Sequence, residues 1–277
     1  MELSISEQLC YCTVRIKAEF KNGSKGTGTG FFFNFLENGN SSVPAIVTNK
    51  HVVANSVTGS FRLTLKDANG KPINASHQII KLDNFEKCWI FHPDPTVDLA
   101  IMPIAPLLEA AKKQGVSFFY KTFGKDIVVD VATMSELSAI EEVVMIGYPV
   151  GIWDSINNMP IVRKGITATR SDLNYEGRKE FMIDAACFPG SSGSPVLLFN
   201  LGGYTTKAGN TKFGTSRIKL LGVLYAGPQF TVEGKLEIVP VPTKAVPTTL
   251  SQIPTNLGLV IKADRILEFE KLLEEKK

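Results

Sequence analysis

The sequence predicts an all-β chain built in two halves, with a helix at its C-terminal end. Three observations carry that reading. Short segments alternate apolar and polar residues with a period of two, and clusters of Gly, Asn, Asp and Pro separate them. One window in the middle, "PLLEAAKKQGV", has helical spacing instead. A second helical pattern, "DRILEFEKLLEEKK", closes the chain. Many short strands, one linker and one terminal helix suit two barrels or sandwiches.

The elements follow in order. From Cys12 to Phe20, residues Cys12, Val14, Ile16, Ala18 and Phe20 face one way, and Thr13, Arg15, Lys17 and Glu19 the other. "KNGSKG" turns the chain into the apolar strand "GTGFFFNF", and "LENGNSS" turns it again before "AIVTNKHVV". In "SFRLTLKDANGKPIN", Phe61, Leu63 and Leu65 share a face and "DANG" is the turn. "VDLAIMPI" reads as a short buried strand, which completes a first β unit at residues 1–105. Residues 106–125 form the linker with the helical window. Strand signals resume in "DIVVDVAT", "EEVVMIGYP", "IVRKGITATR", "EFMIDAA", "SPVLLFN" and "IKLLGVLYAG", giving a second unit at 126–262. Its Pro- and Thr-rich stretch from Pro228 to Asn256 is expected to be a long loop or hairpin insertion. In the terminal helix, 263–277, Ile266, Phe269 and Leu273 share a face, and Asp264 is the expected N-cap.

Composition removes several functional classes. With 44% hydrophobic and 21% charged residues the chain is globular, not disordered. A formal charge of +3, with lysines and arginines scattered along the sequence, gives no nucleic-acid stripe. No apolar run reaches the length of a bilayer span, so no membrane partner is expected. The start, "MELSISEQLCYC", has neither the basic region nor the apolar core of an export signal. None of Cys10, Cys12, Cys88 and Cys187 has zinc spacing, and four are few for a disulfide framework. A reducing, cytoplasmic setting follows, with no metal and no cofactor.

The informative stretch is "PGSSGSPV", Pro189 to Val196, a turn by composition that also presents three serines. A serine hydroxyl becomes a nucleophile when a histidine, itself held by a carboxylate, takes its proton. The only histidines are His51, His77 and His92, and all precede the cluster. That order excludes the α/β-hydrolase elbow, whose histidine follows its serine, and "GSSGS" lacks the second elbow glycine. "GTGTG" lacks the spacing of a phosphate loop and runs into a strand, so it reads as a hairpin entrance. The order left is His, Asp, Ser.

Three segments then carry a resemblance. "VTNKHVV" with His51, "VDLAIMPI" with Asp98 and "DAACFPGSSGSPVL" with Ser192 resemble the signature segments of trypsin-like serine peptidases, most of all the bacterial HtrA-type group. "GTGFFF", "IGYPVG", "VRKGITATR", "LLGVLYAG" and "NLGLVIKADRI" match in the same order, so the likeness spans residues 12 to 270. Asp94 in "HPDPTVD" competes for the carboxylate role, but only Asp98 abuts "LAI".

The resemblance implies two six-stranded antiparallel β-barrels packed face to face, protease domain only, acting on a protein or peptide substrate. His51 and Asp98 would come from the first barrel and Ser192 from the second, with backbone N–H groups of Gly190 and Ser192 as the oxyanion hole. Substrate would add as a strand along Tyr225, Ala226 and Gly227. The specificity pocket would have Ala186 at its base, with Leu224, Gly227, Gly258 and Val260 around it. With no acid at the base, an uncharged side chain is expected before the cut. Ser191 stands where digestive trypsins carry an aspartate that receives a cleaved N-terminus, so loop ordering is the expected control. The chain ends after its helix, so a following peptide-binding PDZ domain is not expected, and partner sensing falls to loops such as Pro228–Asn256. A regulatory protein partner or a homo-oligomer fits that picture. Two rivals are an inactive trypsin-fold binding module and a cysteine hydrolase using Cys187.

Overall fold

The computed structural model of the chain describes residues 2–39, 41–232 and 251–275. After a short helix, α1 (Ile5–Cys10), the first half lays down β1 (Thr13–Phe20), β2 (Lys25–Asn38) and β3 (Ser41–Thr48). The helical turn α2 (Lys50–Val53) leads into β4 (Ser56–Lys66), β5 (Pro72–Asp83), β6 (Ile90–Phe91) and β7 (Ala100–Pro103). The helix α3 (Ala105–Lys113) and the short β8 (Phe118–Phe119) follow. These strands form one eight-stranded sheet in the order β5-β4-β1-β2-β3-β7-β6, with β8 on β4, where six strands were expected. The predicted helical window is thus α3, and the end of the 106–125 segment joins the first sheet.

The second half contains the helix α4 (Val131–Ser135), β9 (Glu142–Gly147), β10 (Ile161–Thr167), β11 (Glu180–Asp184) and β12 (Pro195–Asn200). A hairpin of β13 (Gly203–Thr205) and β14 (Thr211–Phe213) precedes β15 (Arg217–Ala226). Then come β16 (Gln229–Val232), β17 (Ser251–Pro254) and β18 (Leu257–Lys262), and the chain finishes with α5 (Asp264–Leu267) and α6 (Phe269–Glu274). Six strands close a barrel in the order β10-β11-β18-β15-β12-β9. β16 pairs antiparallel with β17, as a hairpin insertion would, and the part of the expected insertion at 233–250 lies outside the described residues. Among the described residues no helix is long and apolar enough to cross a membrane.

Strand β2 shows how alternation builds the core. Phe32 enters the core of the first sheet beside Val14, Ile46 and Phe61. Phe31, Phe33 and Phe35 point the other way, into a cluster shared with Ile146, Leu197 and Val223 of the barrel. A strand buried on both faces reads as a near-continuous apolar run, and "GFFFNF" is broken only by Asn34. The barrel has its own core of Met145, Phe181, Ile183, Val196 and Leu198. The terminal helices complete the shared cluster. Ile266, Phe269 and Leu273 are buried as predicted, and the Phe269 ring packs 6.3 Å from Phe35 and 5.2 Å from His92.

Three local expectations are corrected. "DIVVDVAT" is not a strand: a 3-10 turn at Lys125–Ile127 is followed by α4. Asp130 caps α4 by accepting from Thr133 N at 2.6 Å, and that capping bond overrides the β preference of the valines. Asp264 is not an N-cap. It is the first helical residue, after Ala263, and its carboxylate takes Lys179 Nζ at 2.8 Å. "AIVTNKHVV" is strand only to Thr48, and His51 sits on the α2 turn.

Candidate active site

Three segments converge where the first sheet meets the barrel. His51 lies on α2, just after β3, and Gly28 leaves the space for that turn, because a Cβ there would stand 2.5 Å from Val52. Asp98 immediately precedes Leu99, ahead of β7, and β7 pairs with β3 along Thr48↔Ala100. His51 Nδ1 is 2.5 Å from Asp98 Oδ2, and the His51 backbone N–H donates to Asp98 Oδ1 at 2.9 Å. Buried Asn49 donates from Nδ2 to the Asp98 carbonyl at 2.9 Å, tying the two segments together a second time. Asp94, the competing carboxylate, is engaged elsewhere. Bonds from Thr96 and then Arg265 hold its carboxyl down to about 2. His77 faces Arg62 at 3.2 Å, and buried His92 meets the Arg265 carbonyl at 3.2 Å.

Ser192 lies in the loop between β11 and β12, and the first sheet grips that loop. Thr29 N donates to the Ser192 carbonyl at 2.8 Å, and Thr29 Oγ1 donates to the Gly190 carbonyl at 2.9 Å. From the barrel side, Gly193 N donates to the Leu224 carbonyl at 2.8 Å. Gly190 and Gly193 take φ of +89° and +87°, values that glycine adopts without steric cost. Val150 N holds the Pro189 carbonyl at 2.5 Å, while the N–H groups of Gly190 and Ser192 have no partner among the described residues. Ser192 Oγ donates to the Tyr225 carbonyl at 3.4 Å, and among the described residues no hydrogen bond joins it to His51.

A cavity of about 300 Å³ opens beside Ser192, lined by Cys187, Phe188, Leu224, Tyr225, Gly227 and Leu257 among others, Ala226 included. Ala186, Gly258 and Val260 do not line it. Val260 is in the barrel core opposite Phe181 and Leu224. Gly258 stands behind the wall, where a Cβ would fall 2.5 Å from Leu224 and 2.6 Å from Cys187. The Ala186 carbonyl is turned to a guanidinium that sequence reasoning missed, that of Arg163 on β10.

Arg163 Nη1 donates to the Ala186 carbonyl and, at 2.9 Å, to Ser191 Oγ, which also accepts from Phe188 N at 3.3 Å. Its Nε and Nη2 are buried without a partner among the described residues. Burial lowers its pKa against a smaller rise from Cys187. A cation therefore braces Ser191, the residue next to Ser192. Arg163→Met keeps the stem but removes both bonds, and kcat/KM is expected to fall about tenfold, the scale of one or two buried hydrogen bonds. An unchanged kcat/KM would show that the loop keeps its shape without the guanidinium.

Burial also pushes the Cys187 thiol up to about 11, so at neutral pH it is protonated. Tyr225 OH donates to Glu180 Oε2 at 2.9 Å, and burial followed by that bond pushes the phenol up to about 12. Among the described residues no three His, Cys, Asp or Glu side chains gather as a metal site.

The sheet that packs on the closed barrel thus carries a histidine–carboxylate pair, and the barrel carries the serine loop. The model of the trypsin-like peptidase domain matches residues 28–202, and the chain belongs to that family; it is a serine endopeptidase. Solved structures add similar molecules. The active form of the Rv3671c protease from M. tuberculosis aligns with a TM-score of 0.45 at 15% identity, covering 93% of this chain and 78% of that one. Its inactive form gives 0.46 at 16%, covering 95% and 89%. The HtrA-type protease AlgW, solved with a tripeptide, gives 0.49 at 15% and covers 96% of this chain and 61% of that one. No curated protein sequence matches the chain.

Proposed function

We propose that the chain hydrolyses peptide bonds through His51, Asp98 and Ser192, by way of an acyl group on Ser192. The observation that carries this is the double hold of Asp98 on His51, through Nδ1 and the backbone N–H, which fixes the ring's tautomer and orientation. With its proton on Nδ1, the ring presents Nε2 as a base. Ser192 Oγ attacks the scissile carbonyl carbon while Nε2 takes its proton. The oxyanion goes to the N–H groups of Gly190 and Ser192, and the imidazolium returns its proton to the leaving amine. Water then repeats the sequence and releases the acid.

The Tyr225 carbonyl has a part in starting this. A substrate strand added along Tyr225–Gly227 would place its own N–H on that carbonyl, and the Ser192 hydroxyl, displaced, would turn to His51. Phe188, Leu224 and Leu257 make the adjoining cavity apolar, and among the described residues no acid lines it, which favours an uncharged side chain before the cut. Ala186, Gly258 and Val260 would act from behind its wall. The eight-stranded first sheet is read as the counterpart of the second barrel, packed on it through Phe31, Phe33 and Phe35.

One observation favours a second reading. Ser192 Oγ rests on Tyr225, not on His51, as it would in a latent or inactive binding module. Fluorophosphonate labelling of the purified protein, read by intact mass and peptide mapping, separates the two. A single adduct on Ser192, absent from Ser192→Ala, is the expected result. No adduct, with peptide binding retained, would establish the binding module.

A further inference from the structure

Five cations from three stretches of the sequence come together beside the serine loop. Arg15, Lys17, Lys25 and Lys81 line a groove of about 590 Å³ between β1, the start of β2 and the β4–β5 edge. It continues into a smaller recess shared by Arg15, Lys17 and Lys81 with Arg62 and Trp153. Among the described residues none of the five is in an ion pair. Glu19 and Asp83 also line the groove, which leaves the positive charges in excess. Arg15 and Arg62 both lie over Trp153, at 5.5 and 4.8 Å from the ring centroid, so one ring gathers two guanidiniums.

These charges repel. Burial first, then Arg15, Arg62 and Lys25, lower the pKa of Lys17. Burial and then Arg62 lower that of Arg15, against a smaller rise from Tyr148. The other titratable group against Arg62, His77, is lowered by burial and then by that same arginine. Holding like charges together costs free energy that an anion in the groove would recover.

The groove borders the proposed site of bond cleavage and shares no lining residue with the cavity at Tyr225–Gly227. Thr27 in its wall has Oγ1 3.3 Å from where a Cβ on Gly190 would stand. Arg15 Nη2 is 2.8 Å from the corresponding point on Gly151, next to Val150, whose N–H holds the Pro189 carbonyl. A substrate strand lying on Tyr225–Gly227 with its scissile carbonyl at Gly190 would have Thr27 beside that carbonyl. We propose that this groove receives an acidic segment of the substrate, the residues just after the scissile bond, so that the enzyme selects polypeptides carrying Asp or Glu there. The proposal rests on the reading of Ser192 and Gly190 as the site of cleavage, and it names the substrate class of that site.

Binding tests it without turnover. Fluorescence anisotropy on Ser192→Ala would compare a peptide of five Ala and Val residues followed by four Glu with its counterpart ending in four Gln. The Glu peptide is expected to bind about tenfold tighter at low ionic strength, with the ratio collapsing near 0.5 M salt, as screening of exposed charges requires. In a Lys17→Gln, Lys25→Gln, Lys81→Gln variant, all three changes at exposed positions, the ratio should fall close to one. Equal affinity for the two peptides, or a ratio the triple change leaves intact, overturns the proposal. So does a single-stranded oligonucleotide that binds at least as tightly as the Glu peptide and is lost in the triple variant, since the groove then belongs to nucleic acid.

On a peptide library the wild type should cut with Asp and Glu enriched after the bond, and cleavage without that enrichment also overturns it. A wild type that neither cuts nor takes fluorophosphonate, yet prefers the Glu peptide, sinks the triad and leaves the groove standing.

Discussion

Asp98→Asn is expected to lower kcat about ten-thousandfold with the fold intact, the scale typical of a lost triad carboxylate. The geometry says why so isosteric a change does so much. One carboxylate oxygen accepts from the His51 backbone N–H at 2.9 Å and the other faces Nδ1 at 2.5 Å. An asparagine must keep its single oxygen on the backbone N–H, because its amide nitrogen cannot accept there. Its NH2 group then faces Nδ1, which has to become the acceptor, and the ring proton moves to Nε2. Nε2, the proposed base, then carries the proton and cannot accept another. Steady-state kinetics on a peptide substrate, with thermal unfolding as the check on the fold, measures this. Activity kept within tenfold would mean that Asp98 does not set the tautomer.

The largest effect on stability is expected at Gly193. Its φ of +87° alone costs an alanine about 1–2 kcal/mol. The new Cβ would also stand 1.9 Å from the Thr29 carbonyl oxygen and 2.6 Å from Thr48 Oγ1, so the serine loop or β2 has to shift. Gly193→Ala should lose about 4 kcal/mol or more, in the range reserved for strained or overpacked sites. Gly209 is the control: φ is +82°, but nothing lies within 4 Å of its Cβ position. Urea unfolding of the two variants separates backbone strain from the clash. If Gly193→Ala is no worse than Gly209→Ala, the junction between loop and sheet yields freely.

Much of the fold was legible because alternation reports burial directly. Val14, Ile16 and Ala18 pointed inward and Arg15 and Lys17 outward, as the pattern requires. The triad candidates were legible because their segments are local and their order is restrictive. What escaped depends on folding back. Arg163 in "IVRKGIT" alternates like a solvent-facing residue, and nothing nearby in sequence shows that its guanidinium reaches Ser191. Lys17 and Lys81 are neighbours only because β1 lies beside β4 and β4 beside β5. Ala186, Gly258 and Val260 were assigned to a pocket by position alone, and the side chains of Leu224 and Cys187 decide what reaches it. Asn49 did leave a signal. It is a polar residue next to His51 at the end of an apolar strand, a place where burial demands a partner.

The packing of Phe269 on Phe35 has a consequence for the timing of the protein's birth. The ribosome delivers Phe35 early and Phe269 more than two hundred residues later, an interval of roughly ten to fifty seconds at ordinary elongation rates. Through that interval the phenylalanine row of β2 has neither the barrel nor the terminal helix to cover it. The nascent chain exposes an apolar face, the condition in which aggregation competes with folding. It also delivers Ser192 only after His51 and Asp98 have been made.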